Sequence, residues 1–319
     1  MTTQKMKSQF KNILVTGGAG YVGTTLTDFL LKDGFSVKII DSLRSGGHNL
    51  IPFFSHKNFE FIKGDIRSRR DVKKAIKDVD LIIHLAAIVG YPACRKEPDL
   101  SRDINVNGTR NIVSLVKKKV PILFASTGST YGKMIEKICT ETTPLNPLSN
   151  YGKQKAEAEQ IIKKNKKFII FRFATAFGAS YKMRLDLLPN DFTYKAVKEK
   201  TLIVYEKNFM RTFIHVRDMA RVFLFALNNY KKMEGEIYNV GDNSMNYSKE
   251  DICLIIKKKV DYYLHFAEID KDLDQRDYTV SYEKLKLLGF HTTTTMEEGI
   301  DELIKITEVL EMYDPYRNI

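Results

Sequence analysis

Cysteine is scarce in this sequence, and its three copies, Cys94, Cys139 and Cys253, are widely separated. An odd number at such spacing argues against a disulfide framework and against a CxxC metal or redox site, so no metal is expected. Long apolar runs are missing as well: none approaches the roughly 18 residues of a membrane helix, and no membrane partner is expected. Residues 1–11 are polar and lysine-bearing, without the apolar stretch of a secretory signal, which makes the cytoplasm the expected compartment. Repeats and low-complexity segments are absent too. Acidic residues are the minority, 39 against 51 lysines and arginines, giving a formal net charge of +12. The lysine runs at 117–119 and 257–259 sit near expected helix ends, where the helix dipole favours them, and no interleaved aromatics accompany them. Nucleic acid is therefore not an expected partner. A general positive field would instead attract an anion such as a pyrophosphate.

What is present is alternation. Short apolar, β-branched runs at 12–16, 37–40, 59–62, 81–85, 122–125 and 168–171 are separated by 21–31, 69–77, 100–118 and 151–164, which repeat apolar positions at helical spacing. This predicts βαβ units and an α/β fold built on a Rossmann-type, doubly wound parallel sheet. Beyond about residue 175 the pattern is less regular, with helix-like stretches at 217–229, 249–258 and 296–313. Ser248, three residues before Asp251, resembles a capping box and marks a helix start.

The run Gly17-Gly18-Ala19-Gly20-Tyr21-Val22-Gly23 follows the first expected strand and opens the first expected helix, the context a dinucleotide-binding loop requires. Gly17 and Gly20 let the backbone approach a pyrophosphate, Gly23 permits close packing of helix on sheet, and Tyr21 and Val22 begin the helix whose N-terminus faces the phosphates. Asp41 ends the second strand, where a carboxylate grips ribose hydroxyls and repels a 2′-phosphate, so NAD is expected over NADP; Arg44 close by is the residue that would favour the phosphate. Asp65, with Ile66 beside it, follows the third strand and either contacts adenine or caps a helix. The expected division is an NAD-binding domain over 1–174, with a return segment near 212–240, and a smaller C-terminal substrate-binding lobe formed mainly by 175–319.

Tyr151 and Lys155 lie four residues apart at the start of an expected helix and so share one face. A lysine ammonium beside a phenol stabilises the phenolate and lets tyrosine, with an ordinary pKa near ~10, act as a base at neutral pH. Ser126-Thr127-Gly128-Ser129 ends an apolar strand, and strand C-termini in a parallel sheet form the binding crevice. Thr127 can there hydrogen-bond a substrate hydroxyl or the carbonyl it becomes. Thr127, Tyr151 and Lys155 are the expected catalytic set.

With these motifs the chain resembles the extended short-chain dehydrogenase/reductase family, in its NAD-dependent nucleotide-sugar epimerase/dehydratase branch, over nearly its whole length. His84-Leu85-Ala86-Ala87, Asn105-Val106-Asn107-Gly108-Thr109 and the run from Arg211 to Asp218 add to the likeness. The resemblance implies that Ala86 and Ala87 pack on the cofactor, that Asn105 supports the cofactor site, that Arg211 contacts the diphosphate of a nucleotide sugar, and that the chain forms a homodimer through helices 100–118 and 151–164. Water-eliminating relatives carry Asp-Glu where Gly128 and Ser129 stand here, so 4,6-dehydration is not expected. Thr175 occupies a substrate position where galactose-type epimerases carry asparagine. The stretch from Met183 to Phe192, with Gln275 to Tyr278, is similar to a subgroup that includes enzymes acting on GDP-heptoses; Arg184, Asn190 and Arg276 are then phosphate or base contacts, or else surface and lobe-packing residues. The expected reaction is 4-epimerisation through a transient 4-keto sugar. Net 4-dehydrogenation with recycling of NADH is the alternative, and an NAD-sensing protein that keeps the Rossmann shell without chemistry is a third reading.

Overall fold

The computed structural model describes residues 9–116, 120–132, 138–267 and 279–310. The six apolar runs become strands β1 (Asn12–Thr16), β2 (Ser36–Asp41), β3 (Phe59–Lys63), β4 (Leu81–His84), β5 (Ile122–Thr127) and β6 (Phe168–Phe173), and a strand in the expected return segment, β7 (Glu236–Val240), joins them. They form one sheet in the order β7-β6-β5-β4-β1-β2-β3, and every neighbouring pair is parallel. Burial is complete along β4 and β6, as expected for strands covered on both faces by crossover helices. On one face the helices Tyr21–Lys32 and Val216–Asn228 enclose a core that includes Leu26, Phe171, Phe223 and Tyr238. On the other, Val72, Ile112, Ala158 and Ile162 of the helices Arg69–Ala75, Thr109–Leu115 and Asn150–Lys163 pack on Ile82, Ile122 and Ile170. The strand order reverses direction at β1, between β2 and β4, and that switch point opens a crevice at the strand C-termini.

A second apolar cluster, with Phe177, Phe213, Ile252, Ile256, Met296 and Ile300, lies among the elements that follow β6. There the strands Thr175–Phe177, Met210–His215 and Asn246–Ser248 form a three-stranded sheet. Ser248 and Asp251 make both halves of the expected capping box at the start of the helix Lys249–Lys257. The chain returns from this region to the large sheet through the helix Val216–Asn228 and the edge strand β7. Among the described residues no helix is long and apolar enough to cross a membrane.

One element departs from its sequence pattern. Instead of a regular helix over 100–118, a helical rod running from Pro98 to Leu115 is opened at Asp103–Gly108 into a π-helical turn. The widened turn holds Asn105, whose side chain bonds both the N–H and the C=O of Ile88 (2.8 and 3.0 Å), so tertiary hydrogen bonds outcompete the ordinary helical repeat.

Phe171 has no solvent exposure and meets Phe223 edge-on, with ring centroids 5.3 Å apart. Truncating it leaves a cavity in the centre of the sheet's core. Phe171→Ala is therefore expected to lower unfolding free energy by about 3–5 kcal/mol in urea titration, and a loss below about 1 kcal/mol would show that this core closes over the gap.

Candidate active site

After β1 the chain turns through Gly17 at φ +72°. A Cβ there would lie 2.7 Å from the Ala86 backbone, and one at Gly23 would lie 2.4 Å from the Gly17 carbonyl, so neither position has room for a side chain. The helix Tyr21–Lys32 begins at Gly20 with no side-chain cap and no acid in its first turn. Its first N–H groups and positive dipole end are thus left for an anion. Asp41, at the end of β2, accepts from the Ala19 N–H (3.0 Å) and the Leu43 N–H (2.8 Å), which draw its carboxyl down against the larger upward push of burial. Arg44 lines the same cavity and is ion-paired there with Glu97. Gly17, Gly20, Tyr21, Val22, Gly23, Asp41, Asp65, Ile66, Ala86 and Ala87 all line one cavity of about 830 Å³. A glycine turn under a bare helix terminus, with a carboxylate one strand away, fits a dinucleotide without a 2′-phosphate.

The same cavity is lined by Thr127, Tyr151 and Lys155. Ser149 caps the helix Asn150–Lys163, so Tyr151 and Lys155 fall in its first two turns and face the end of β5. Tyr151 is buried beside Ile88, Ala93 and Cys94. Lys155 donates from Nζ to the Ala125 carbonyl at 2.7 Å and stands 4.6 Å from the centre of the Phe124 ring. Burial pushes its ammonium down to about 8, with Glu159 and Cys94 opposing the shift. The Thr127 hydroxyl lies 3.0 Å from that of Ser129 and accepts from the Ser129 N–H at 3.2 Å. A hydroxyl, a phenol and a desolvated ammonium therefore converge on one wall, a set that can move a proton to and from a bound alcohol.

The remaining expected residues divide. Thr175, Arg184 and Arg211 line the cavity, Arg184 with its guanidinium held by Asp186 (2.6 Å) and Arg211 over the Phe209 ring at 5.2 Å. Asn105 stands behind the wall: besides Ile88 it bonds Gln154 (2.8 Å), and it does not line the cavity where a cofactor contact was expected. Asn190 is also off the cavity, its amide spent on the Gly178 N–H and the Arg184 carbonyl (both 2.9 Å), which makes it a clasp of the 178–184 loop. Of the two roles open to Asp65, capping falls away, because Ser68 caps the following helix; Asp65 is held by Arg67 at 2.7 Å on the cavity rim. Arg276 lies outside the described residues.

Several residues that matter here gave weaker signals. His84 bridges the hydroxyls of Thr16 (2.7 Å) and Thr109 (2.9 Å), and burial, helped by Lys155, pushes it down to about 3, so it is a neutral link between β1, β4 and the following helical rod. Glu97 and Asp186, which occupy two of the three arginines that line the cavity, were not singled out as partners. Glu159 could have been found from its spacing, four residues after Lys155 on the same helix face, whereas its partner Arg172 is brought to it only by the sheet.

A Methanocaldococcus jannaschii protein named "Putative UDP-glucose 4-epimerase" is similar to this chain, with 32% identity covering 92% of this chain and 97% of the relative. The solved dTDP-glucose 4,6-dehydratase of Bacillus anthracis, in complex with NAD, superposes with a TM-score of 0.81 at 28% identity, covering 94% of this chain and 97% of that one. The fold is also that of the Thermotoga maritima UDP-glucose 4-epimerase, with a TM-score of 0.83 at 23% identity over 94% of this chain and all of that one. Residues 13–241, which hold the glycine turn, the Tyr151 helix and β7, match the NAD dependent epimerase/dehydratase family, and the chain belongs to it.

Proposed function

We propose that this chain is a nucleotide-sugar 4-epimerase that uses NAD and works through a transient 4-keto sugar. The observation that carries this reading is the convergence of Thr127, Tyr151 and Lys155 on the cavity of the glycine turn, with Gly128 and Ser129 bringing no carboxylate to the adjoining positions. Elimination of water needs a proton donor at the leaving hydroxyl, and those two residues supply no acid for it.

NAD bound in this cleft supplies a reversible hydride acceptor. Tyr151 Oη takes the proton of the C4 hydroxyl, and the Lys155 ammonium steadies the phenolate for that task. The Thr127 hydroxyl, oriented by Ser129, holds the C4 oxygen both as alcohol and as ketone. Arg211 binds the diphosphate and tethers the sugar while its ring turns over. Once the turned sugar presents the opposite face of C4 for reduction, Tyr151 Oη returns its proton to the C4 oxygen, and the alcohol is regenerated with C4 inverted.

Purified protein incubated with UDP-, GDP- and dTDP-hexoses and heptoses, followed by mass spectrometry and NADH absorbance, tests the reading. An isomeric product without NADH is expected. A product two mass units lighter, formed with NADH, would establish net dehydrogenation instead. Tyr151→Phe is expected to reduce turnover at least about 100-fold while NAD still binds, as measured by calorimetry; unchanged turnover would remove the phenol from the mechanism.

Lys155 gives a pH signature of known sign. Its ammonium is present below about 8 and lost above it, so kcat/KM is expected to fall as pH rises through that value. Stability moves the other way, because between about 8 and 10.5 the unfolded chain keeps a proton that the folded chain has released. Measured against Lys155→Met by urea titration near pH 7 and pH 10, the native chain should gain about 3 kcal/mol across that window. Equal differences at both pH values would show that Lys155 is not desolvated.

A further inference from the structure

The hydroxyl-bearing end of β5 contains one group that the proposed chemistry leaves unused. Ser126 lies between Ala125, whose carbonyl Lys155 grips, and Thr127, and it donates its hydroxyl to Glu159 Oε1 at 2.5 Å. Glu159 follows Lys155 by one helical turn and has no solvent exposure. Arg172 on β6 holds both of its oxygens, from Nε to Oε1 at 3.0 Å and from Nη2 to Oε2 at 2.7 Å. The same guanidinium reaches the Tyr131 hydroxyl (3.1 Å) and the Glu141 carbonyl (3.2 Å), and Tyr131 donates to Asn239 on β7 at 2.6 Å. One buried network thus joins the helix Asn150–Lys163, three adjacent strands and the loop that carries Ser129.

Its consequence lies at β5. Two successive residues of that strand are pinned to one face of one helix, Ala125 by Lys155 and Ser126 by Glu159. The next residue is Thr127. A buried carboxylate with all its partners in place has a single arrangement, unlike an exposed ion pair whose side chains drift. Arg172 supplies the counter-charge to Glu159, whose Oε1 accepts from both Arg172 and Ser126.

We propose that Glu159 is a positioning residue, which through Ser126 sets where the Thr127 hydroxyl stands relative to Tyr151 and Lys155. What Thr127 does with that position rests on the epimerase reading; the position itself is measurable without a substrate.

Glu159→Gln strips Arg172 of its counter-charge and endangers folding, so Ser126→Ala carries the test: it cuts the link to β5 and leaves the Glu159–Arg172 pair intact. Its kcat is expected to fall roughly 10- to 100-fold, with KM for the nucleotide sugar changed less than about twofold. Ser126→Thr, which keeps a hydroxyl, is expected to restore most of the rate. A crystal structure of Ser126→Ala should show the Thr127 hydroxyl displaced by roughly 0.5 Å or more. Wild-type kcat in Ser126→Ala, or a Thr127 hydroxyl that has not moved, overturns the proposal. If the native chain turns over none of the sugars, the epimerase reading fails alone, and the crystallographic arm decides the positioning role by itself.

Discussion

The interior beneath the Tyr151 helix is organised around charge that has been taken out of water. Lys155, Glu159 and Arg172 are all buried, two cations to one carboxylate, in a region where an uncompensated ion would be expensive. Glu159 and Arg172 satisfy one another through a bidentate contact. Lys155 is left with a carbonyl and an aromatic face, which is why its proton is held less tightly than a lysine's usually is. These bonds run from one helix to neighbouring strands, and rotation or sliding of that helix would break several of them together. The geometry of the cavity wall is therefore inherited from the charge arrangement behind it.

A different economy governs the cofactor side, where space decides. Gly17 and Gly23 allow strand and helix to meet more closely than any side chain permits, and the helix end beside them carries no side-chain cap and no acid in its first turn. Asn105 and His84 work behind that surface. Each spends all its hydrogen bonds on the chain itself, fixing the Ile88 loop and the ends of β1 and β4.

Much of this was legible in the sequence because it is local. The period of apolar residues gave the strands and helices, the glycine spacing gave the turn, and the interval between Tyr151 and Lys155 gave a shared helix face. What was not legible depends on distance along the chain. Asn190 read as a ligand contact or else a lobe-packing residue, on the likeness of the stretch from Met183 to Phe192 to a subgroup, and its amide closes a loop with Gly178. Nothing local could show that Arg44 is occupied by Glu97, 53 residues away, or that Arg172 meets Glu159 across a sheet. The regular helix expected over 100–118 missed its π-helical turn for the same reason, since the hydrogen bonds that reward the distortion come from Ile88 and Gln154.

The late arrival of β7 has a temporal consequence. During synthesis β1 to β6 are complete by residue 173, yet β6 remains an open edge until residues 236–240 emerge and pair with it. For that interval a strand of six buried residues, Phe168–Phe173, presents unpaired N–H and C=O groups to its surroundings. Such an edge is open to chaperones or to pairing with another nascent chain, and contacts closed over so long a stretch form slowly. Truncated versions ending before β7 would carry that edge permanently.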